Sequence, residues 1–261
     1  MDALTVALVQ QASSLDPAEN RAFVAALDVD AAFVVLPEAF ARDFGKPGED
    51  ISAYAEPVDG PFGTTVERAA SQERTLVAGM FETAPDPTRP FNTLLVRGAA
   101  TASYRKVHLY DSFGYKESDR LTAGEWTPTV VDVQGFRIGL MTCYDLRFPE
   151  LARALVDEGA DVLVVPAAWV PGRTEPEHAR KVDHWRTLAR ARAIENTTYV
   201  LAAGQAAPRY TGHSMVVDPY GEVLAEAGGE PTVLTARLER RVIDEARATN
   251  PSLANRRHPP G

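Results

Sequence analysis

An α/β fold is expected for this chain of 261 residues, and three observations predict it. Apolar runs of strand length alternate with amphipathic stretches from end to end. Two of the runs, residues 32–36 and 162–165, are apolar throughout, as strands buried on both faces require. Two pairs of runs, 94–97 with 101–105 and 130–133 with 136–141, flank Gly98 and Gln134-Gly135 in the manner of hairpins. Crossover units and hairpins are therefore mixed in one sheet system.

The elements follow in order. Residues 5–9 are small and β-branched and read as a first strand. Residues 17–27 have helical spacing, with Ala22, Phe23, Ala26 and Leu27 on one side. After the buried strand 32–36 come a helix over 62–72 and a strand over 75–81. The Pro-rich stretch 84–90 is a loop ahead of the first hairpin. The second hairpin leads into a helix over 150–158 and the buried strand 162–165. Residues 177–195 form the longest helix, with Val182, Trp185, Leu188 and Ala189 at helical spacing. Strands over 199–203, 214–217, 222–224 and 233–238 and a last helix over 239–248 complete the chain. No Gly-, Pro- or Ser-rich linker divides it. We expect one domain over 1–250 and an extended tail over 251–261.

One internal echo is visible. Residues 28–40 read DVDAAFVVLPEAF and residues 157–169 read DEGADVLVVPAAW. Such an echo arises if the fold has two similarly built halves, or from chance convergence of two buried strands. Glu38 in the first copy corresponds to Ala167 in the second, so the carboxylate was not needed to build that turn.

Composition excludes several functions. There are 36 Asp and Glu against 27 Lys and Arg, a formal charge of −9, and one cysteine. A single cysteine forms no intramolecular disulfide and no cysteine-rich zinc site. An acidic chain without a basic block is poorly suited to nucleic acid. No run approaches the ~20 apolar residues that span a bilayer. The start of the chain reads as a strand and not as a signal peptide, so a cytoplasmic location is expected.

Three reactive residues share one setting. Glu38, Lys106 and Cys143 each follow an apolar strand, and sites in open α/β sheets form beyond the carboxyl ends of strands. Singly, each has a plainer reading: a turn carboxylate, a solvated lysine and a small core thiol. Cys143 stands out because its segment switches from strand to helix at the cysteine. A tight turn there lifts the thiol to the top of the sheet, and the following N–H groups offer an oxyanion site and lower the thiol pKa.

These segments resemble the catalytic blocks of the nitrilase superfamily, the carbon–nitrogen hydrolases. Phe33-Val34-Val35-Leu36-Pro37-Glu38 resembles the glutamate block. Tyr104-Arg105-Lys106-Val107-His108-Leu109 resembles the lysine block. The run from Gly139 through Cys143-Tyr144-Asp145-Leu146-Arg147-Phe148-Pro149-Glu150 to Leu151 resembles the nucleophile block. The resemblance covers nearly the whole chain. It implies a four-layer α-β-β-α sandwich, commonly a homodimer or a higher homo-oligomer. Lys116-Glu117-Ser118 resembles the place of the family's second glutamate, so Glu117 is implied to orient Lys106 or the substrate. As a plain loop residue it would lie on the surface.

The wording around Cys143 is similar to the amidase branch that includes omega-amidase and deaminated-glutathione amidase. Nitrilases proper carry Trp-Glu after the nucleophile, and this chain has Tyr144-Asp145, which argues against nitriles. The implied reaction is cofactor-free and metal-free hydrolysis of a small amide through a thioester, with release of ammonia. Cys143 attacks, Glu38 moves the proton, and Lys106 with the backbone N–H of Tyr144 holds the oxyanion. Lys106 is also expected to lower the thiol pKa. Arg147 is implied to hold a substrate carboxylate, or else pairs with Asp145 or Glu150. Trp169 lines the pocket or packs under the loop 170–183, which departs from the branch by its length.

Deaminated glutathione and a 2-oxo-acid amide are the specific examples; an N-carbamoyl or aliphatic amide is the alternative. A Cys143–His108 or Cys143–His213 hydrolase is the competing enzyme. A non-catalytic scaffold is the competing class, and it would be expected to lack one of the three reactive residues.

Overall fold

Alternate residues of the strands have separate destinations, and this builds layers. In the computed structural model, which describes residues 2–257, β1 (Ala3–Gln10) sends Leu4, Val6 and Leu8 into one cluster and Ala7 and Val9 into another. The second cluster is closed by α1 (Pro17–Ala25) and α2 (Pro61–Ala69) through Val24, Phe62 and Val66. Burying each such side chain contributes roughly 1.5–3 kcal/mol. The buried side of α1 is Asn20 and Val24 with Phe23 half-buried, whereas Ala22 and Ala26 are exposed. A one-carbon side chain gains little from burial, so the larger residues set the face.

The first sheet has the order β14-β1-β2-β3-β4-β5. It comprises β1, β2 (Phe33–Val35), β3 (Thr75–Glu82), β4 (Phe91–Arg97), β5 (Ala102–Arg105) and β14 (Thr232–Glu239). A two-residue hairpin, β6 (Asp111–Ser112) with β7 (Tyr115–Lys116), turns through Phe113 and Gly114, both at positive φ. The second sheet has the order β13-β12-β11-β10-β9-β8. It comprises β8 (Val130–Val133), β9 (Phe136–Leu140), β10 (Val162–Ala167), β11 (Tyr199–Gly204), β12 (Met215–Val217) and β13 (Val223–Glu226). Inner faces of both sheets share one core, and α3 (Pro149–Asp157) and α4 (Glu175–Asn196) cover the outer face of the second. The result is the four-layer α-β-β-α sandwich.

The two sheets repeat one another. In each, three successive strands are parallel, β1-β2-β3 and β9-β10-β11. Two antiparallel strands follow on one side, and one antiparallel strand, β14 or β8, closes the other. The echo between residues 28–40 and 157–169 falls on the equivalent strands β2 and β10. The two halves are therefore built alike.

Two expectations change. The stretch 170–183 is not one loop: α4 already begins at Glu175. Thr174 at the N-cap and Pro176 in the first turn favour that start. After α5 (Arg240–Thr249), the tail turns back. Leu253 packs on the core, and Arg256 pairs with Asp157 at 2.6 Å. Residues 258–261 of the expected extended tail lie outside the described residues.

Candidate active site

The strand β9 ends one turn before Cys143, which sits at φ 47°. A non-glycine residue held in this region costs about 1–3 kcal/mol, and such strain clusters at functional sites. A 3-10 helix follows over Cys143–Arg147, and α3 starts only at Pro149. The break arises because Phe148, preceding a proline, is kept extended at φ −109°, ψ 95°. The Tyr144 N–H lies in the first turn, where amides lack an intrahelical acceptor.

Glu38 follows β2 and is buried, not exposed on its turn. Its Oε1 accepts from Asn92 Nδ2 at 2.7 Å and Lys106 Nζ at 3.0 Å, and its Oε2 accepts from the Ala168 N–H at 2.7 Å. The Gln205 side chain donates to the Glu38 carbonyl at 2.8 Å. Gly79 on β3 makes room for this turn, since a Cβ there would lie 2.4 Å from the Ala39 nitrogen and 2.9 Å from Glu38 Cα. Thus the equivalent turns of the two half-sheets meet at one carboxylate.

Lys106 follows β5 and is wholly buried. Besides Glu38, its Nζ contacts Glu117 Oε1 at 3.0 Å and Oε2 at 2.8 Å. Glu117 is buried as well and also accepts from the Tyr110 N–H at 2.6 Å. It is not a surface loop residue. Burial alone would strip the charge from Lys106, but Glu117 and Glu38 outweigh burial and hold the ammonium well above lysine's usual value. Burial raises Glu117 against the pull of Lys106. One ammonium serves two carboxylates, so the cation is over-compensated and the anions are not.

The thiol does not follow the expectation of a lowered pKa. Burial first, and then the charge of Glu38, push Cys143 well above the ordinary thiol value; Lys106 opposes them and loses. At rest Cys143 is a neutral thiol beside Glu38.

Asp145 joins the lysine and nucleophile segments. It is fully buried and accepts from Tyr104 Oη at 2.7 Å, from the Thr142 N–H at 2.9 Å, and from the N–H and Nδ1 of His108 at 3.0 and 2.7 Å. Tyr104 and His108 flank Lys106 two residues to either side. His108 is stacked on Phe148 at 3.7 Å, and His213 Nδ1 lies against the Ala227 carbonyl at 3.1 Å. Neither histidine is hydrogen-bonded to Cys143.

Arg147 pairs with neither Asp145, which is committed elsewhere, nor Glu150. Its guanidinium lies 5.0 Å over the Trp169 ring and 5.9 Å from the Tyr144 ring. Trp169 is buried, donates from Nε1 to the Lys181 carbonyl at 3.0 Å, and packs on Trp185 at 5.1 Å. One face of Trp169 meets Arg147 and its edge is tied to α4. Sequence reasoning missed Asn92, Gln205, Tyr110, Asp145 and Lys181. Of these, only Asp145 lay within a quoted motif.

Among the described residues, no group of three or more His, Cys, Asp or Glu side chains is placed to hold a metal ion, and no helix is long and apolar enough to cross a membrane.

A buried Glu-Lys-Glu cluster beside a thiol, at the meeting point of two matched half-sheets, defines a class of hydrolase. The chain belongs to the carbon–nitrogen hydrolase family, whose model matches residues 5–248. It is 38% identical to the deaminated glutathione amidase of Escherichia coli over 238 residues, which cover 90% of this chain and 88% of that protein. Its fold matches Saccharomyces cerevisiae Nit3, a member of branch 10 of the nitrilase superfamily, with a TM-score of 0.83, 29% identity and coverage of 98% and 97% of the two chains. It also matches a Nesterenkonia amidase mutant that shows covalent addition of the acetamide moiety of fluoroacetamide at the active-site cysteine. There the TM-score is 0.75 and the identity 29%, over 97% of this chain and 94% of that one.

Proposed function

We propose that this carbon–nitrogen hydrolase is an amidase acting on a small linear amide that carries a carboxylate, in the manner of deaminated glutathione or a 2-oxo-acid amide. The observation that carries the reading is the convergence of Glu38 and Glu117 on the Lys106 ammonium, each within 3.0 Å of it, beside Cys143. The Escherichia coli relative and the covalently modified cysteine of the Nesterenkonia amidase support it.

In this mechanism Glu38 takes the proton from the neutral thiol as sulfur attacks the amide carbonyl. The developing oxyanion is held by the Lys106 ammonium and the Tyr144 N–H. Collapse expels the amine, which is ammonia for a primary amide and a peptide amine for deaminated glutathione; it leaves with the proton from Glu38, and a thioester remains on Cys143. Glu38 then draws a proton from water, which attacks the thioester and frees the acid and the thiol. Glu117 keeps Lys106 charged and fixed. Arg147, with no carboxylate partner of its own, receives the substrate carboxylate.

The same reading has the enzyme working in the cytoplasm, where a catalytic thiol stays reduced, and as a homodimer. Exposed Ile194, Tyr220, Val223 and Leu224 at the end of α4 and the start of β13 supply an apolar patch for that assembly.

Release of ammonia, or of the free amine where the amide is N-substituted, from four amide classes tests the substrate. Carboxylate-bearing amides should exceed aliphatic and N-carbamoyl amides in kcat/KM, and Arg147→Met should erase the difference. Turnover of uncharged amides alone would remove the carboxylate role.

A further inference from the structure

Arg147 is not the only cation at the mouth of this site. Lys181, on α4, places Nζ 3.4 Å from Tyr110 Oη and 4.9 Å from the centre of the Phe113 ring. Tyr110 leads directly to the chemistry. Its N–H donates to Glu117, and its ring meets the ring of Tyr144, the residue after Cys143, edge-on at 5.0 Å. Arg147 packs on that same Tyr144, and on Trp169, whose indole N–H is tied to the backbone of Lys181. Both cations therefore stand on one aromatic wall beside the nucleophile.

Neither cation has an acidic partner among the described residues. The ion pairs among the described residues leave both out, although the chain has nine more acidic than basic side chains. Arg147 Nε is buried without a hydrogen-bond partner. Burial and then the Arg147 charge hold the Lys181 ammonium below lysine's usual value, so the two groups repel one another. Two like charges that face each other on a half-buried wall are relieved by an anion, and more fully by two.

We propose that Lys181 is a second anion-binding residue of this pocket, which together with Arg147 selects amides carrying two negative charges over amides carrying one. The inference rests on the reading that the substrate bears a carboxylate.

The test uses glutarate, a dianion, and butyrate, a monoanion, in isothermal titrations at low salt with the wild type, Lys181→Met and Lys181→Arg. The wild type should bind glutarate at least about tenfold more tightly than butyrate. Lys181→Met should weaken glutarate by about tenfold and leave butyrate within about twofold, and Lys181→Arg should restore glutarate. An unchanged glutarate affinity in Lys181→Met, an equal loss for both anions, or no binding of either anion to the wild type would overturn the proposal. Turnover of neutral, singly and doubly charged amides separates the two levels. If the wild type favours neutral amides, the carboxylate reading fails. If it favours charged amides and Lys181→Met keeps that ranking, only the role of Lys181 fails.

Discussion

Glu38 Oε1 lies 3.0 Å from Lys106 Nζ, and neither side chain is more than 2% exposed. The pair is not self-contained, because Glu117 shares the same ammonium. This arrangement sorts the variants. Glu38→Gln leaves Lys106 paired with Glu117, so the fold should persist while kcat falls by about 10²–10⁴-fold, the usual worth of a proton-transfer group. Lys106→Met leaves two buried carboxylates facing each other and should also lower stability, by about 3–5 kcal/mol. Steady-state ammonia release and urea midpoints check both expectations.

The thiol gives a prediction whose sign is the reverse of a freely activated cysteine. Its pKa in the fold is raised above the ordinary 9.0 by burial and then by Glu38. Iodoacetamide should therefore modify Cys143 slowly at neutral pH, with a rate that climbs only above about pH 9. Glu38→Gln should move that rise to lower pH, because it removes the largest electrostatic cause. Linkage runs the same way. The stabilisation from the neutral thiol is complete below the unfolded value and is lost as pH rises through the folded one. Cys143→Ala should lessen the alkaline loss of stability, measured as Tm against pH. A wild-type alkylation profile centred below about pH 8 would contradict the prediction.

Asp145 accepts four hydrogen bonds with no exposure to water, three of them from Tyr104 and His108 on either side of Lys106. Asp145→Asn turns acceptor capacity into a misplaced donor and should cost about 2–3 kcal/mol. It should also lower kcat more than it raises KM, since it loosens Lys106 against Cys143 and not the substrate mouth. Tyr104→Phe removes one of the bonds and should show a smaller effect of the same kind. Denaturation midpoints and full kinetic curves measure both.

Gly79 offers a test through the backbone. A methyl at this position meets the Ala39 nitrogen at 2.4 Å, and backbone there cannot swing aside. Gly79→Ala should destabilise by about 1–3 kcal/mol and depress kcat by displacing Glu38. Thermal denaturation beside ammonia release measures the two effects.

Much of this architecture was legible because it is periodic. The strands with apolar residues on both faces and the helices with an apolar side were readable, and so was the repeat that aligns residues 28–40 with 157–169. Glu38, Lys106, Glu117 and Cys143 stood in recognisable local settings. What escaped was long-range. The partners of Glu38 at Asn92, Ala168 and Gln205 lie 54 to 167 residues away. No local pattern announces them. Nothing in the sequence singles out Lys181, because its neighbours Tyr110 and Arg147 are far from it along the chain. The direction of the thiol shift was misjudged for a similar reason: Lys106 was visible, but the depth of burial and the competing carboxylates were not.

The central claim is that Cys143 carries the acyl group of an amide substrate. Intact-protein and peptide mass spectrometry of the wild type, acid-quenched within the first turnovers on a carboxylate-bearing amide, measures this directly, because the thioester is the intermediate between loss of the amine and attack by water. An added mass equal to the acyl group is expected, confined to the peptide containing Cys143 and absent from Cys143→Ala. An acyl adduct on another residue, or one that persists without Cys143, would contradict it.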